Sequence, residues 1–140
     1  LGVELATLDD IFSTCDVISL HSPSLPATHG MIEGRHFESM KSGATFINTA
    51  RGDVVNEKEM IEELSKHKFI ACLDVTYPEP PLENNPLRKM PNVILSPHIA
   101  GVISENKLRI GDLAADEIFR FISGSDSENE VSLIDLERTG

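Results

Sequence analysis

The 140-residue sequence has no tryptophan, one tyrosine and two cysteines. It is also short of basic residues, with 12 Lys and Arg against 23 Asp and Glu and a formal charge of −11. Nucleic-acid binding needs clustered Lys and Arg to replace the counterions of phosphates, so no nucleic-acid partner is expected. No membrane partner is expected either. An anionic lipid surface repels this charge, and no apolar run approaches the roughly 20 residues of a bilayer-spanning helix. The opening Leu1-Gly2-Val3-Glu4 has no basic stretch followed by an apolar one, so no signal peptide is expected. It also lacks Met and opens in a strand-like run, which suggests a piece of a longer protein. Cys15 and Cys72 have no Cys or His at metal-ligand spacing. No metal site is expected, and both thiols should be buried and reduced, which points to the cytoplasm.

What is present is an alternation of short apolar runs and helical patterns. Strands are expected at Gly2–Leu5, Asp16–Leu20, Ala44–Asn48, Phe69–Asp74 and Asn92–Ser96. Thr7 followed by Asp10 reads as a capping box opening a helix to about Thr14. A second helix is expected from Gly34 to Met40. A third is capped by Asn56, with an apolar stripe of Met60, Ile61 and Leu64. A long one runs from a Ser104 cap to Ser123, with Leu108, Leu113, Ala114, Ile118, Phe121 and Ile122 on one side and Gly124 at its end. Five prolines between Thr76 and Pro91 predict a loop without regular structure. The polar tail after Ser125 reads as a linker up to Val131–Ile134. Such a pattern predicts an α/β fold: a parallel sheet covered by helices on both faces.

Ligands of open parallel sheets bind beyond the carboxyl ends of the strands. Four successive strands end in polar, loop-forming sequence here: His21-Ser22-Pro23, Thr49-Ala50-Arg51-Gly52, Asp74-Val75-Thr76-Tyr77-Pro78-Glu79 and Ser96-Pro97-His98-Ile99-Ala100-Gly101. Arg51 offers a planar fork suited to a carboxylate. His98 is a side chain able to exchange a proton near neutral pH, and a carboxylate such as Glu79 beside it would favour the imidazolium and fix its orientation. An Arg for a substrate carboxylate and a Glu–His pair for a proton suit reduction of a ketone next to a carboxylate. Taken singly, each residue has a plainer role. Arg51 could answer Asp53, Asp74 could start a turn, and His98 could be an ordinary satisfied histidine. His21 reads as structural. His36, His67 and the acidic face of Glu57, Glu59, Glu62 and Glu63 read as solvated surface.

The order and spacing of these segments decide between the two readings. Ser19-Leu20-His21-Ser22-Pro23 with Thr28 and Gly30, Met40-Lys41-Ser42-Gly43-Ala44, Ile47-Asn48-Thr49-Ala50-Arg51-Gly52, Leu73-Asp74-Val75, Pro78-Glu79-Pro80 and Pro91-Asn92-Val93-Ile94-Leu95-Ser96-Pro97-His98-Ile99-Ala100-Gly101 together resemble the D-2-hydroxyacid dehydrogenases, the family that includes phosphoglycerate dehydrogenases. The resemblance runs from about Leu1 to Gly124. It implies a Rossmann-type NAD(P)-binding domain over 1–124, with 125–140 returning toward a substrate domain. It implies catalytic roles for Arg51 on the substrate carboxylate, His98 as acid/base and Glu79 as its partner. It also implies that Asp74 holds the nicotinamide carboxamide. Ser22, Pro23, Thr28, Thr49, Ala50, Arg51, His98, Ala100 and Gly101 would lie against the cofactor, NAD or NADP.

Departures from the family are also visible. Thr76-Tyr77 stands where an aromatic residue and then an acid are common, and His29 replaces a common basic residue. The 140 residues contain no Gly-x-Gly-x-x-Gly turn to cradle a pyrophosphate. The expected fold is therefore an incomplete Rossmann sheet without its first two strands, and weak NAD binding is expected of this polypeptide alone. In the strand order 3-2-1-4-5-6 the missing strands come from the middle, which leaves Asp16–Leu20 with an unpaired apolar edge; a homodimer, a strand exchange or cover by the tail is expected there. The expected function is hydride transfer between a nicotinamide cofactor and a 2-hydroxy or 2-keto acid. Two alternatives stay open: a dinucleotide-sensing binding module on the same fold, and an inactive remnant.

Overall fold

The computed structural model describes residues 2–101 and 106–139. Thr7 and Asp10 form the expected capping box, each side chain bonding the other's backbone N–H, and open helix α1 at Leu8–Thr14. The strands are β1 Val17–Leu20, β2 Thr45–Asn48, β3 Ile70–Leu73 and β4 Val93–Leu95. Helix α2, Gly34–Ser39, joins β1 to β2, and α3, Glu57–Leu64, joins β2 to β3. The Asn56 side chain accepts the Glu59 N–H to cap α3, as expected. The four strands form one parallel sheet in the order β1-β2-β3-β4.

That order accounts for how the sheet is covered. Parallel crossovers are right-handed, so successive connections moving in one direction all fall on the same face. Ile18, Leu20, Phe46, Ala71 and Leu73 point to that face and are buried with Phe12, Phe37, Met40, Leu64 and Phe69. The rings of Phe12, Phe37, Phe46 and Phe69 touch one another. On the opposite face Val17 and Ile94 are 61% and 62% exposed. The expectation of two covered faces thus fails among the described residues, because a second covered face requires a reversal of strand order that these strands do not make.

Other expectations are corrected as well. Gly2–Leu5 is not a strand: it pairs with nothing among the described residues, and Leu5 is fully exposed. The proline-rich loop is not wholly irregular. Asn85 caps a 3-10 turn at Pro86–Arg88, and this turn sends Leu87 into the core. His36 is buried, not on the surface. Its Nδ1 accepts the Glu33 N–H at 2.9 Å, so the neutral ring carries its hydrogen on Nε2, 3.5 Å from Asp9 Oδ1.

Beyond the sheet, α4 spans Asn106–Ser123 and α5 spans Leu133–Thr139. The Ser104 cap lies outside the described residues. Gly124 takes a positive φ of 71° where α4 ends. The apolar stripe of α4 is uncovered, with Leu108, Ile118, Phe121 and Ile122 all more than half exposed. Glu117 accepts hydrogen bonds from Ser127 Oγ, Asn129 Nδ2 and the Glu128 N–H, which fold residues 127–129 back on α4. These bonds, more than the opposing desolvation, also hold its carboxyl below the ordinary range.

Candidate active site

The site is built from three strand ends. At the end of β2, Asn48 is buried and bridges the following turn: Nδ2 donates to the Arg51 carbonyl at 2.9 Å and Oδ1 accepts the Ala50 N–H at 3.0 Å. This bridge projects Thr49 and Arg51 into solvent. The Arg51 guanidinium donates only to the Ala50 carbonyl at 2.8 Å, and no carboxylate holds it among the described residues. Asp53 is not its partner. Asp53 accepts from Ser24 Oγ at 2.5 Å, and its carbonyl accepts the Gly30 N–H, so it fastens the loop after β1. Gly52 is needed because a Cβ there would lie 2.2 Å from the Thr76 carbonyl group. The Arg51 turn and the loop leading to Glu79 therefore run backbone to backbone.

The ends of β3 and β4 are joined by Asp74. Its carbonyl accepts the His98 N–H at 3.0 Å. Oδ1 accepts from Ser96 Oγ and from the Ile99 N–H at 3.0 Å, and Oδ2 accepts the Ala100 N–H at 2.8 Å. Three successive N–H groups thus converge on one residue. They stabilise His98 at φ 51°, a left-handed backbone that a non-glycine side chain rarely adopts. Burial works to raise the Asp74 pKa. The Ser96 hydroxyl, the Ala100 and Ile99 amides and the nearby His98 outweigh it and hold the carboxyl below its ordinary value. On a count of two lone pairs per oxygen, Oδ1 is saturated and Oδ2 retains one.

His98 Nδ1 lies 2.5 Å from Glu79 Oε1. A carboxylate accepts, so Nδ1 carries the hydrogen and Nε2 is left with no protein partner among the described residues. Glu79, His98, Asp74, Thr76, Arg88 and Ser96 line a cleft of about 750 Å³. A larger depression, about 880 Å³, lies between α3 and the proline-rich loop and contains neither Glu79 nor His98; Arg51 lines neither of these two cavities. Side-chain chemistry, not size, marks the first cleft as the site.

The remaining predicted residues fall around this edge without converging on one point. Ser22 and Pro23 are half-buried in the loop after β1. The Thr28 hydroxyl is committed to that loop: it accepts the Leu25 N–H at 2.9 Å and donates to the Pro23 carbonyl at 2.6 Å. Ala100 and Gly101 are exposed beside His98. Sequence reasoning missed Asn48 and Glu57. An Asn at a strand end, just before a turn, was an available signal for the first. Glu57 left none, because its partners lie 20 and 28 residues away.

Comparison with known proteins gives this geometry a family. Residues 1–100 match the family described as D-isomer specific 2-hydroxyacid dehydrogenase, NAD binding domain. The chain belongs to that family. A D-3-phosphoglycerate dehydrogenase of Archaeoglobus fulgidus is 38% identical over 138 residues, a match covering 98% of this chain and 26% of the relative. The apo crystal structure of Rhodotorula graminis D-mandelate dehydrogenase superposes with a TM-score of 0.82 at 31% identity, covering 91% of this chain and 38% of that one. Lactobacillus jensenii D-lactate dehydrogenase, solved with NAD+, gives 0.78 at 32% identity, covering 91% and 42%. The chain therefore spans well under half the length of these relatives. Their fold agrees with the expected Rossmann-type class.

The residues fit one end of a dinucleotide. The free lone pair of Asp74 Oδ2 and the exposed Thr49 offer polar partners at the strand ends, the edge at which open parallel sheets bind ligands. The 140 residues contain no glycine-rich turn for the pyrophosphate.

Proposed function

We propose that these residues form the catalytic edge of an NAD(P)-dependent 2-hydroxyacid dehydrogenase. The observation that carries this reading is the Glu79–His98 pair at 2.5 Å, which leaves Nε2 open in the cleft. When bound, the nicotinamide cofactor supplies or accepts the hydride at the substrate carbon. The protein's own groups do the rest. Arg51, free of any acidic partner among the described residues, takes the substrate carboxylate through its two-pronged fork. His98 gives the Nε2 proton to the keto oxygen during reduction and takes it back during oxidation. Glu79 accepts Nδ1–H throughout, fixing the tautomer and offsetting the imidazolium charge. Asp74, already saturated on Oδ1, receives one carboxamide N–H on Oδ2.

We assign a small 2-keto or 2-hydroxy acid as substrate, with a homodimer as the working assembly. Free Cys15 and Cys72 suit a reducing, cytoplasmic setting. The test is a substrate panel on the whole protein. Reduction of 2-keto acids with NADH or NADPH, and none of the corresponding ketones without a carboxylate, is expected. No turnover on any keto acid, together with cofactor-dependent capture of a protein partner, would favour a dinucleotide-sensing module instead.

A further inference from the structure

The acidic face of α3 is not plain solvated surface: Glu59 Oε2 accepts the Gly34 N–H at 2.6 Å, and Glu57 reaches the loop that carries Glu79. Glu57 Oε2 accepts the Tyr77 N–H at 3.0 Å, and Oε1 accepts Asn85 Nδ2 at 2.8 Å. These two donors stand at the two ends of the loop that carries Glu79. Asn85 is itself buried and caps the turn that anchors Leu87 in the core, so its end of the loop is fixed. The other end is held up to Thr76, which is buried with its backbone against Gly52, but Tyr77 itself leaves that contact. Its ring is exposed and stands edge-on to His29 at 6.0 Å. The Thr76 hydroxyl bonds only within the loop, to the Pro78 carbonyl. Arg88 holds the far side, at the carbonyls of Pro81 and Leu82. Glu57 is therefore the side chain that ties the Glu79 arm, two residues before Glu79, to a helix.

We propose that Glu57 is a positioning residue for the Glu79–His98 pair, acting through the backbone of Tyr77. This rests on the reading of Glu79 and His98 as the proton-handling pair. The bond between them is short and both side chains are more than a third exposed, so the placement of the loop decides whether the carboxylate reaches Nδ1. A displacement of about 1 Å at a catalytic group is enough to cost orders of magnitude in rate. A carboxylate suits this task because it accepts at both oxygens at once. A glutamine accepts at one and presents an N–H₂ to the other donor.

The test uses the 140-residue chain and reads structure, not turnover, so its outcome is separable from that of the dehydrogenase reading. The ¹⁵N signals of the His98 ring report which nitrogen carries the hydrogen, and amide exchange reports the Tyr77 N–H. In Glu57→Gln the Tyr77 amide should exchange about tenfold faster or more, the loss expected for a hydrogen bond to a charged acceptor. His98 should shift from the Nδ1–H tautomer toward Nε2–H, in the same sense as in Glu79→Gln. The double variant should show no further ring shift than Glu79→Gln alone, because Glu57 acts only through Glu79. Unchanged His98 ring signals in Glu57→Gln, an unchanged Tyr77 amide, or additive shifts in the double variant would each overturn the proposal. Asn56 still caps α3 and glutamine is a good helix former, so the variant should keep its fold. A loss of the folded spectrum would also overturn it, showing that Glu57 holds the whole domain and not one loop.

Discussion

Asp74 brings a carboxylate into a position only 5% exposed, and the bonds it accepts there tie β4's exit to β3. The folded-state pKa is depressed, so the carboxylate's contribution to stability is present above its unfolded value of about 4 and is lost as pH falls through the folded value. The Ile99 and Ala100 amides should therefore lose protection below about pH 4, ahead of core amides such as Ala71. In Asp74→Asn that pH step should be absent, and the two amides should exchange faster than in the native chain at pH values above the step. A step that persists in the variant would assign it to another group. Arg51, Asp74 and His98 could be singled out because each is a polar residue just after an apolar strand; Glu79, farther along the loop after β3, stood out only through its place in the family's motif order. Glu57 and Asn48 were not legible, since their roles come from tertiary contacts. His36 was misread because its neighbours Phe37 and Met40, which share its buried side of α2, were not weighed against its polarity.

At the scale of elements, the Arg51 turn and the Glu79 loop behave as one unit because Gly52 lets two backbones touch. Gly52→Ala should push Thr76 away, weaken the Glu79–His98 bond and destabilise the fold by about 1–3 kcal/mol, the usual cost of overpacking. Equal thermal stability and unchanged His98 ring signals in that variant would show that the loop yields freely. The four strands and the first three helices were readable from apolar spacing and caps, notably the Thr7–Asp10 box. Gly2–Leu5 was not, since an apolar run becomes a strand only beside a partner, and none of the described residues provides one. The 3-10 turn at Pro86–Arg88 was hidden by its prolines, although Pro at the first position of a helical turn is favourable.

Among the described residues the sheet has one packed face, one open face and no strand paired beyond β1. The open face follows from strand order, which residue patterns alone could not reveal. Parallel edges with exposed apolar side chains such as Val17 recruit further strands or copies. The 140-residue chain should therefore self-associate in sedimentation, and Val17→Lys should shift it toward monomer. A native chain that stays monomeric at high micromolar concentration would contradict this. The same chain should bind NAD weakly by calorimetry, because its sequence provides polar partners for the nicotinamide end and no glycine-rich turn for the pyrophosphate. Micromolar affinity would refute that expectation. The central claim, that His98 moves the proton with Glu79 behind it, is tested most directly by steady-state turnover of the whole protein carrying His98→Asn. The account predicts a kcat lower by about 10²- to 10⁴-fold with cofactor affinity unchanged. Turnover equal to that of the native protein would contradict it.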